Sequence, residues 1–208
     1  MRTIPDPLLR AEAIHNSKTA FICEGRERTF GEFVDRCRRV GSVLDDLKVD
    51  SGERVALLAA NSDTYAELYA GVPSSGRVVV PLNSRWAEPE LAYALEDAAV
   101  TILITDQDPG ELRNSVEQVL SLQEYEDHLS TSEPIEFAQM KEDDLAGLFY
   151  TGGTTGQSKG VMLSHRNLIA NTLHSQITMP LNGEDTYLVV APMFHAAGSN
   201  SVLQCIAL

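Results

Sequence analysis

Residues Glu53–Asn61 read E-R-V-A-L-L-A-A-N, and this run decides the fold. It is compact and apolar, and the turn residues Asp50-Ser51-Gly52 lead into it. That pattern belongs to a strand buried on both faces rather than one alternating between core and water. Ser62 or Asp63 then caps a helix through about Ser74, which buries Tyr65, Leu68 and Tyr69. The β-branched run Val78–Leu82, set between Gly76 and Asn83, gives a second strand. A helix over Pro89–Asp97 carries proline near its first turn, and Val100–Thr105 supplies a third strand. Strand and helix therefore alternate, which predicts an α/β fold with a largely parallel sheet and helices on both faces. The region from about Asn61 to Ala191 is expected to supply most of that sheet.

Before this unit, Thr29–Leu47 has the spacing of a helix that packs Phe30, Phe33, Val40, Val43 and Leu44. Its apolar face is expected to meet elements that a longer chain would contribute. Arg36, Arg38 and Arg39, beside Asp35, read as a solvated face of this helix. After it, Asp106–Asp144 turns polar and acidic, with a short helix expected around Glu111–Leu122 and a loop at Ser130–Pro134. The strand pattern resumes at Leu145–Thr151, followed by a helix at Arg166–Gln176, a strand at Thr186–Ala191 and a last apolar helix from Ala196. That helix includes Ser201–Leu208 (S-V-L-Q-C-I-A-L). It either leaves an apolar edge through which the chain self-associates, or docks in the chain's own core; the residues leave both open.

The 208 residues carry 30 acidic and 16 basic side chains, a formal charge of −14. Such a field repels a phosphate backbone and argues against nucleic acid or an anionic membrane as a general partner. An anionic small molecule remains compatible if backbone donors and one cation form a local site. Cys23, Cys37 and Cys205 are three and far apart, without metal-ligand spacing, and read as reduced thiols of a cytoplasmic protein. No apolar run has the length of a transmembrane segment.

The richest chemistry lies at Thr151–Gly160, T-G-G-T-T-G-Q-S-K-G, placed between an apolar strand and an expected helix. Gly152, Gly153 and Gly156 allow backbone angles and close approaches that side chains obstruct, so their N–H groups can converge on phosphate oxygens. Thr151, Thr154 and Thr155 add hydroxyls, and Lys159 adds a mobile positive charge. The loop fits neither G-x-x-x-x-G-K-[ST] nor G-x-G-x-x-G. A Gly/Thr connector without a ligand shares its composition.

Taken from Tyr150, the segment Y-T-G-G-T-T-G-Q-S-K-G resembles the signature loop of the adenylate-forming superfamily, most closely that of acyl-CoA synthetases. That loop usually reads [YF]-T-S-G-T-T-G-x-P-K-G, so Gly152 stands where Ser is commoner and Ser158 where Pro is commoner. The resemblance continues through Gly52–Asn61, through Gly71 and Gly76, and through V-V-V-P-L-N-S-R-W at Val78–Trp86. It extends to G-V-M-L-S-H-R-N-L at Gly160–Leu168 and to Pro192-Met193-Phe194-His195 with Gly198.

The resemblance implies that a carboxylic acid, fatty or aryl, attacks the α-phosphorus of Mg²⁺-bound ATP, and that coenzyme A then displaces AMP. Thr151, Gly152, Gly153, Thr154, Thr155, Gly156 and Lys159 would hold the phosphates, with the Thr154 hydroxyl on Mg²⁺. His195 would lie at the acyl and carboxylate end of the pocket. Amino-acid-activating relatives usually place an aspartate there, so His195 points to an acid without an ammonium group. His165 and Asn167 are expected to be structural. The resemblance also implies that residues 1–208 are the N-terminal part of a larger AMP-binding domain, inactive without the remainder and a C-terminal lid. A non-catalytic nucleotide- or acyl-binding module, or a structural remnant, is the competing expectation.

Overall fold

The computed structural model describes residues 1–152 and 157–208. The chain opens with helix α1 (Pro5–His15), the hairpin β1 (Thr19–Cys23) and β2 (Arg26–Thr29), and helix α2 (Phe30–Asp46). The alternating unit follows: β3 (Arg54–Leu58), α3 (Asp63–Ser74), β4 (Val78–Pro81), α4 (Glu88–Asp97) and β5 (Val100–Thr105). A 3₁₀ turn at Gly110–Ser115 leads to β6 (Gln118–Ser121) and α5 (Leu122–Thr131). Then come β7 (Leu145–Thr151), β8 (Lys159–Ser164), α6 (His165–Thr178) and α7 (Ala196–Ala207).

Six strands form one sheet in the order β6-β5-β3-β4-β7-β8, parallel except for the last pair. The central strands are buried on both faces, as their unbroken apolar runs require. On one face Val55, Leu57, Val79, Ile102 and Ile104 join a core with residues of α2, α3, α5 and α7. On the other, Ala56, Leu58, Val80, Leu82 and Leu103 pack with Leu91, Ala94 and Leu95 of α4. Chain reversals are set locally. Ser62 accepts the Tyr65 N–H at 3.0 Å to start α3, and Thr29 with Glu32 forms a reciprocal capping box at the start of α2.

Several expectations change. Helix α2 does not await a longer chain: Phe33, Val34, Val40, Val43 and Leu44 are buried within the chain's own core. It lies close to α3 because position 71 is glycine; a Cβ there would sit 2.7 Å from a Val40 methyl and 3.1 Å from the Cys37 carbonyl. The expected helix at Glu111–Leu122 is instead the 3₁₀ turn and β6, and α5 runs into the expected loop, ending at Thr131. Thr186–Ala191 forms no strand, because no neighbouring strand pairs with it among the described residues. The sheet itself spans Arg54 to Ser164.

Helix α7 docks in the core, with Gly198, Ser199, Val202, Leu203 and Ile206 buried. The most exposed large apolar side chains lie elsewhere, at Met162, Ile177, Leu188 and Val190.

The α2 arginines are not solvated either. Arg36 donates to Glu67, wholly buried on α3, and at 2.7 Å to Glu126 on α5. Tyr125, also buried, donates its hydroxyl to Glu67. Arg38 forms a two-pronged pair with Glu12 at 2.5 and 2.7 Å, and Arg39 reaches Asp35 at 2.6 Å. Burial pushes the Glu67 carboxyl above its ordinary range, against the pull of Arg36 and the Tyr125 hydroxyl. The guanidinium of Arg36 keeps its charge: burial opposes it, but the two carboxylates outweigh that cost.

His165 is structural, as expected. It is buried at the start of α6, and its Nδ1 accepts the Ile4 N–H at 3.2 Å, which ties α6 to α1. That acceptor role requires a neutral ring at Nδ1. Burial pushes the His165 pKa down to about 4, with Asp144 pulling weakly the other way. The unfolded chain then binds a proton that the native state refuses, so stability present above pH 6.5 is lost as the pH falls towards 4. The expected loss is up to about 3 kcal/mol. Urea unfolding from pH 7 to 4 checks this: a His165→Gln variant should lose that part of the slope.

Candidate functional site

The sheet topology places a crevice before any functional side chain is considered. After β3 the chain turns into α3 on one face of the sheet; after β4 it turns into α4 on the other. Adjacent parallel strands whose connections leave in opposite directions open a gap at their carboxyl ends, where open α/β sheets bind ligands. A cavity of about 150 Å³ lies there, lined by Ala59, Ala60, Asn61, Ser84, Arg85, Val190, Pro192 and Phe194. Among the described residues the lining carries no carboxylate, and Arg85 is its one cationic side chain.

The Gly/Thr loop meets the same edge. Because β7 runs parallel to β4, with Val79 opposite Gly147, Thr151 ends β7 on the side where β3 and β4 end. The strand beyond the loop corrects the sequence reading. Lys159–Ser164 returns antiparallel along β7, with Lys159 opposite Thr151, so the loop closes a hairpin and does not enter a helix. Among the described residues, the strand β8 and not a helix N-terminus follows the loop. The reason lies in K-G-V-M-L-S, whose β-branched and apolar residues pair with β7, while Ser164 and Asn167 postpone the helix with their own capping box.

Thr151 and Lys159 are exposed at the mouth of the hairpin. Gly152 is also exposed, and among the described residues nothing lies within 4 Å of where its Cβ would be. Gly153, Thr154, Thr155 and Gly156 lie outside the described residues. Beneath the loop, Tyr150 donates its hydroxyl to Asp97 of α4 at 2.6 Å, and the Tyr150 ring lies against Gly160, where a Cβ would come within 3.1 Å of it. Burial and the Asp97 carboxylate both push the Tyr150 hydroxyl above its ordinary range, so it stays protonated as that donor.

Val190, Pro192 and Phe194 line the cavity from the segment before α7, and His195, next to Phe194, is not among the lining residues. Phe194 is buried with its ring 4.7 Å from that of His195, centroid to centroid, while His195 is exposed as the N-cap residue of α7. Among the described residues no hydrogen bond from a side chain engages the His195 ring. Gly198 has a steric role that the motif alone did not show: a Cβ there would lie 2.4 Å from the Pro192 carbonyl oxygen. Asn61, which the sequence reading did not single out, joins the carboxyl end of β3 to this segment by two hydrogen bonds. Arg85 was equally unmarked, although it falls inside V-V-V-P-L-N-S-R-W.

No group of three or more His, Cys, Asp or Glu able to hold an ion occurs among the described residues, and none of their helices is long and apolar enough to cross a membrane. The three cysteines are free.

A family model described as AMP-binding enzyme matches residues 9–208. The feruloyl-CoA synthase of an Amycolatopsis species is 34% identical over 180 residues, covering 86% of this chain and 36% of that protein. A 2-succinylbenzoate–CoA ligase of Bacillus cereus is 29% identical over 214 residues, covering 98% of this chain and 42% of that protein. Among solved structures, the inhibitor-bound N-terminal domain of FACL13 from Mycobacterium tuberculosis superposes with a TM-score of 0.91 at 26% identity. It covers 100% of this chain and 55% of its own. The chain spans about two fifths of the length of the curated relatives it matches.

Proposed function

The chain belongs to the AMP-binding enzyme family, and on that footing we propose that it is the N-terminal portion of an ATP-dependent acid–thiol ligase. The reaction is activation of a carboxylic acid as acyl-AMP, with release of pyrophosphate, followed by transfer of the acyl group to the thiol of coenzyme A. The observation that carries this reading is the meeting of two features at one sheet edge. Thr151 and Lys159, which flank the loop, and the cleft lined by Phe194 lie at the carboxyl ends of β3, β4 and β7.

The acid sits in the cleft, with its carboxylate towards His195. A lining without a carboxylate offers no partner for a desolvated ammonium, and this supports a fatty or aryl acid over an α-amino acid. As the carboxylate oxygen bonds to the α-phosphorus, the bond to the bridging oxygen breaks and charge builds on the leaving pyrophosphate. The loop stabilises that charge through the N–H groups of residues 152–156, the hydroxyls of Thr151, Thr154 and Thr155, and the ammonium of Lys159. Magnesium ion, which shares the phosphate charge, enters with the nucleotide; the Thr154 hydroxyl is its proposed protein ligand here. Magnesium in such sites is held by substrate phosphates, waters and one or two carboxylates, so a cluster of three or more is not required.

Residues 1–208 supply the phosphate clamp and part of the acid pocket. The remainder of the large domain and the mobile lid complete the site in the longer protein, and the 208 residues alone are inactive. The relatives that are CoA ligases, and the two-fifths span of the match, support this division.

Exchange of labelled pyrophosphate into ATP tests the reading. With the complete reading frame and a panel of fatty and aryl acids, exchange should appear only when an acid is supplied. Exchange that is absent with every acid, or indifferent to acid, contradicts it.

A further inference from the structure

We infer that Asn61 is a positioning residue for the acid pocket: its side-chain amide fixes the backbone that carries Phe194 and His195. Asn61 Nδ2 donates to the Ala191 carbonyl at 2.9 Å, and Asn61 Oδ1 accepts the Met193 N–H at 2.8 Å. One planar amide thus serves an acceptor and a donor two residues apart, across sequence separations of 130 and 132. Two bonds from one rigid plane set both the position and the direction of the segment they hold. The segment has need of it, because Thr186–Met193 belongs to no strand or helix.

A second close approach is made to the same backbone by α7. Gly198, in the first turn of α7, lies so near the Ala191 and Pro192 carbonyls that a Cβ would come within 2.7 and 2.4 Å of their oxygens. The N–H groups of Gly198 and Ser199 both donate to the His195 carbonyl, at 3.0 and 3.1 Å. Ala191–His195 is therefore held both by the Asn61 amide and by the first turn of α7. The outcome is a seated Phe194 ring and a His195 ring turned outward.

Asn61 is a firm base for this task. It follows β3 directly and precedes Ser62, the N-cap of α3. Asp63, next in line, is buried and held by Arg26 at 2.7 Å and Arg28 at 2.5 Å from the β1–β2 hairpin. Movement of the wall relative to the end of β3 would therefore have to break the amide contacts themselves.

The consequence rests on the proposed reading, in which His195 faces the acid and the hairpin loop faces ATP. Loosening the wall should weaken recognition of the acid and leave the nucleotide alone. Two measurements on Asn61→Ala and Asn61→Asp separate the possibilities. In the 208-residue chain, hydrogen exchange at the Met193 amide should speed up about 10-fold or more in Asn61→Ala, the loss of roughly one net hydrogen bond. Asn61→Asp should keep Met193 protected, because its carboxylate still accepts that N–H.

In the complete enzyme, Asn61→Ala should raise the KM for the acid about 10-fold while the KM for ATP stays within about twofold. Unchanged Met193 exchange in Asn61→Ala overturns the clamp, whatever the enzyme does. Faster exchange with both KM values raised together, or neither, overturns the positioning role. If the wild-type enzyme shows no acid-dependent activity, the functional reading fails and the positioning role falls with it, while Met193 exchange still decides the clamp.

Discussion

Lys159→Ala is expected to lower acid-dependent pyrophosphate exchange by about 100- to 1000-fold, the scale on which removing one preorganised donor to developing charge acts. Lys159 begins β8 at the mouth of the hairpin, opposite Thr151, and is exposed. Its removal leaves the core and the cleft wall in place, so the unfolding midpoint should hardly move. The loss should fall on turnover as well as on ATP affinity, because the charge it meets grows as pyrophosphate departs. Lys159→Arg keeps the positive charge but replaces a compact ammonium with a planar fork, and should recover only part of the rate. Exchange within about threefold of wild type in Lys159→Ala would show that the loop works without this cation.

A loss of stability of about 3 kcal/mol is expected from Arg36→Ala at neutral pH, within the range for stranding a buried charge. Glu67 is wholly buried on α3, and Arg36 is the cation that touches it. Without Arg36 the carboxylate keeps only the Tyr125 hydroxyl. Burial then raises its proton affinity further, so the native state takes up a proton that the unfolded chain does not. The sign follows: stability of the variant should improve as the pH falls towards the ordinary Glu value of 4.5. Adding Glu67→Gln removes the charge and keeps an acceptor for Tyr125, so the double variant should regain most of the loss at pH 7. Urea unfolding of the four proteins checks both claims. A loss below about 1 kcal/mol, or no recovery in the double variant, would mean that solvent compensates the buried carboxylate.

The elements read correctly from the sequence share one physical cause. Val100–Thr105, Leu145–Thr151 and the helix ending at Ser74 are specified by dense burial or by a local cap, so residues near in the chain carry the whole signal. The N-terminal hairpin gives a weak sequence signal because β1 is short and half-exposed and β2, R-E-R-T, is polar. Its clue was Glu24-Gly25, both at positive φ, in a turn that twists with its strands. Helix α5 had an equally local clue in Ser121 and Glu124, which form a capping box and start the helix at Leu122, where the expected one ended. β6, with only Leu120 buried, gave no such sign.

Thr186–Ala191 shows the opposite failure. Its composition suits a strand, but a strand exists only where a partner completes the ladder. The site divides along the same line. The loop and the P-M-F-H motif were legible as residue types, and Gly198 as a motif position, but its reason, a carbonyl 2.4 Å from where a Cβ would lie, is visible only in three dimensions. The Asn61 amide joins residues 130 positions apart, and nothing near Asn61 in the chain announces that partner. The α2 arginines looked solvated for the same reason: Glu67, Glu126 and Glu12 reach them through the fold.

The central claim is that a carboxylate oxygen attacks the α-phosphorus of ATP at this sheet edge, and the fate of that oxygen tests it most directly. The complete enzyme is given an active acid labelled with ¹⁸O in its carboxylate, together with ATP and coenzyme A, and the products are analysed by mass spectrometry. One labelled oxygen per turnover in AMP, with none in pyrophosphate or inorganic phosphate, is the predicted result. Label in inorganic phosphate, or AMP without label while the acid is consumed, would contradict it and place the chemistry at another phosphorus or outside this family's reaction.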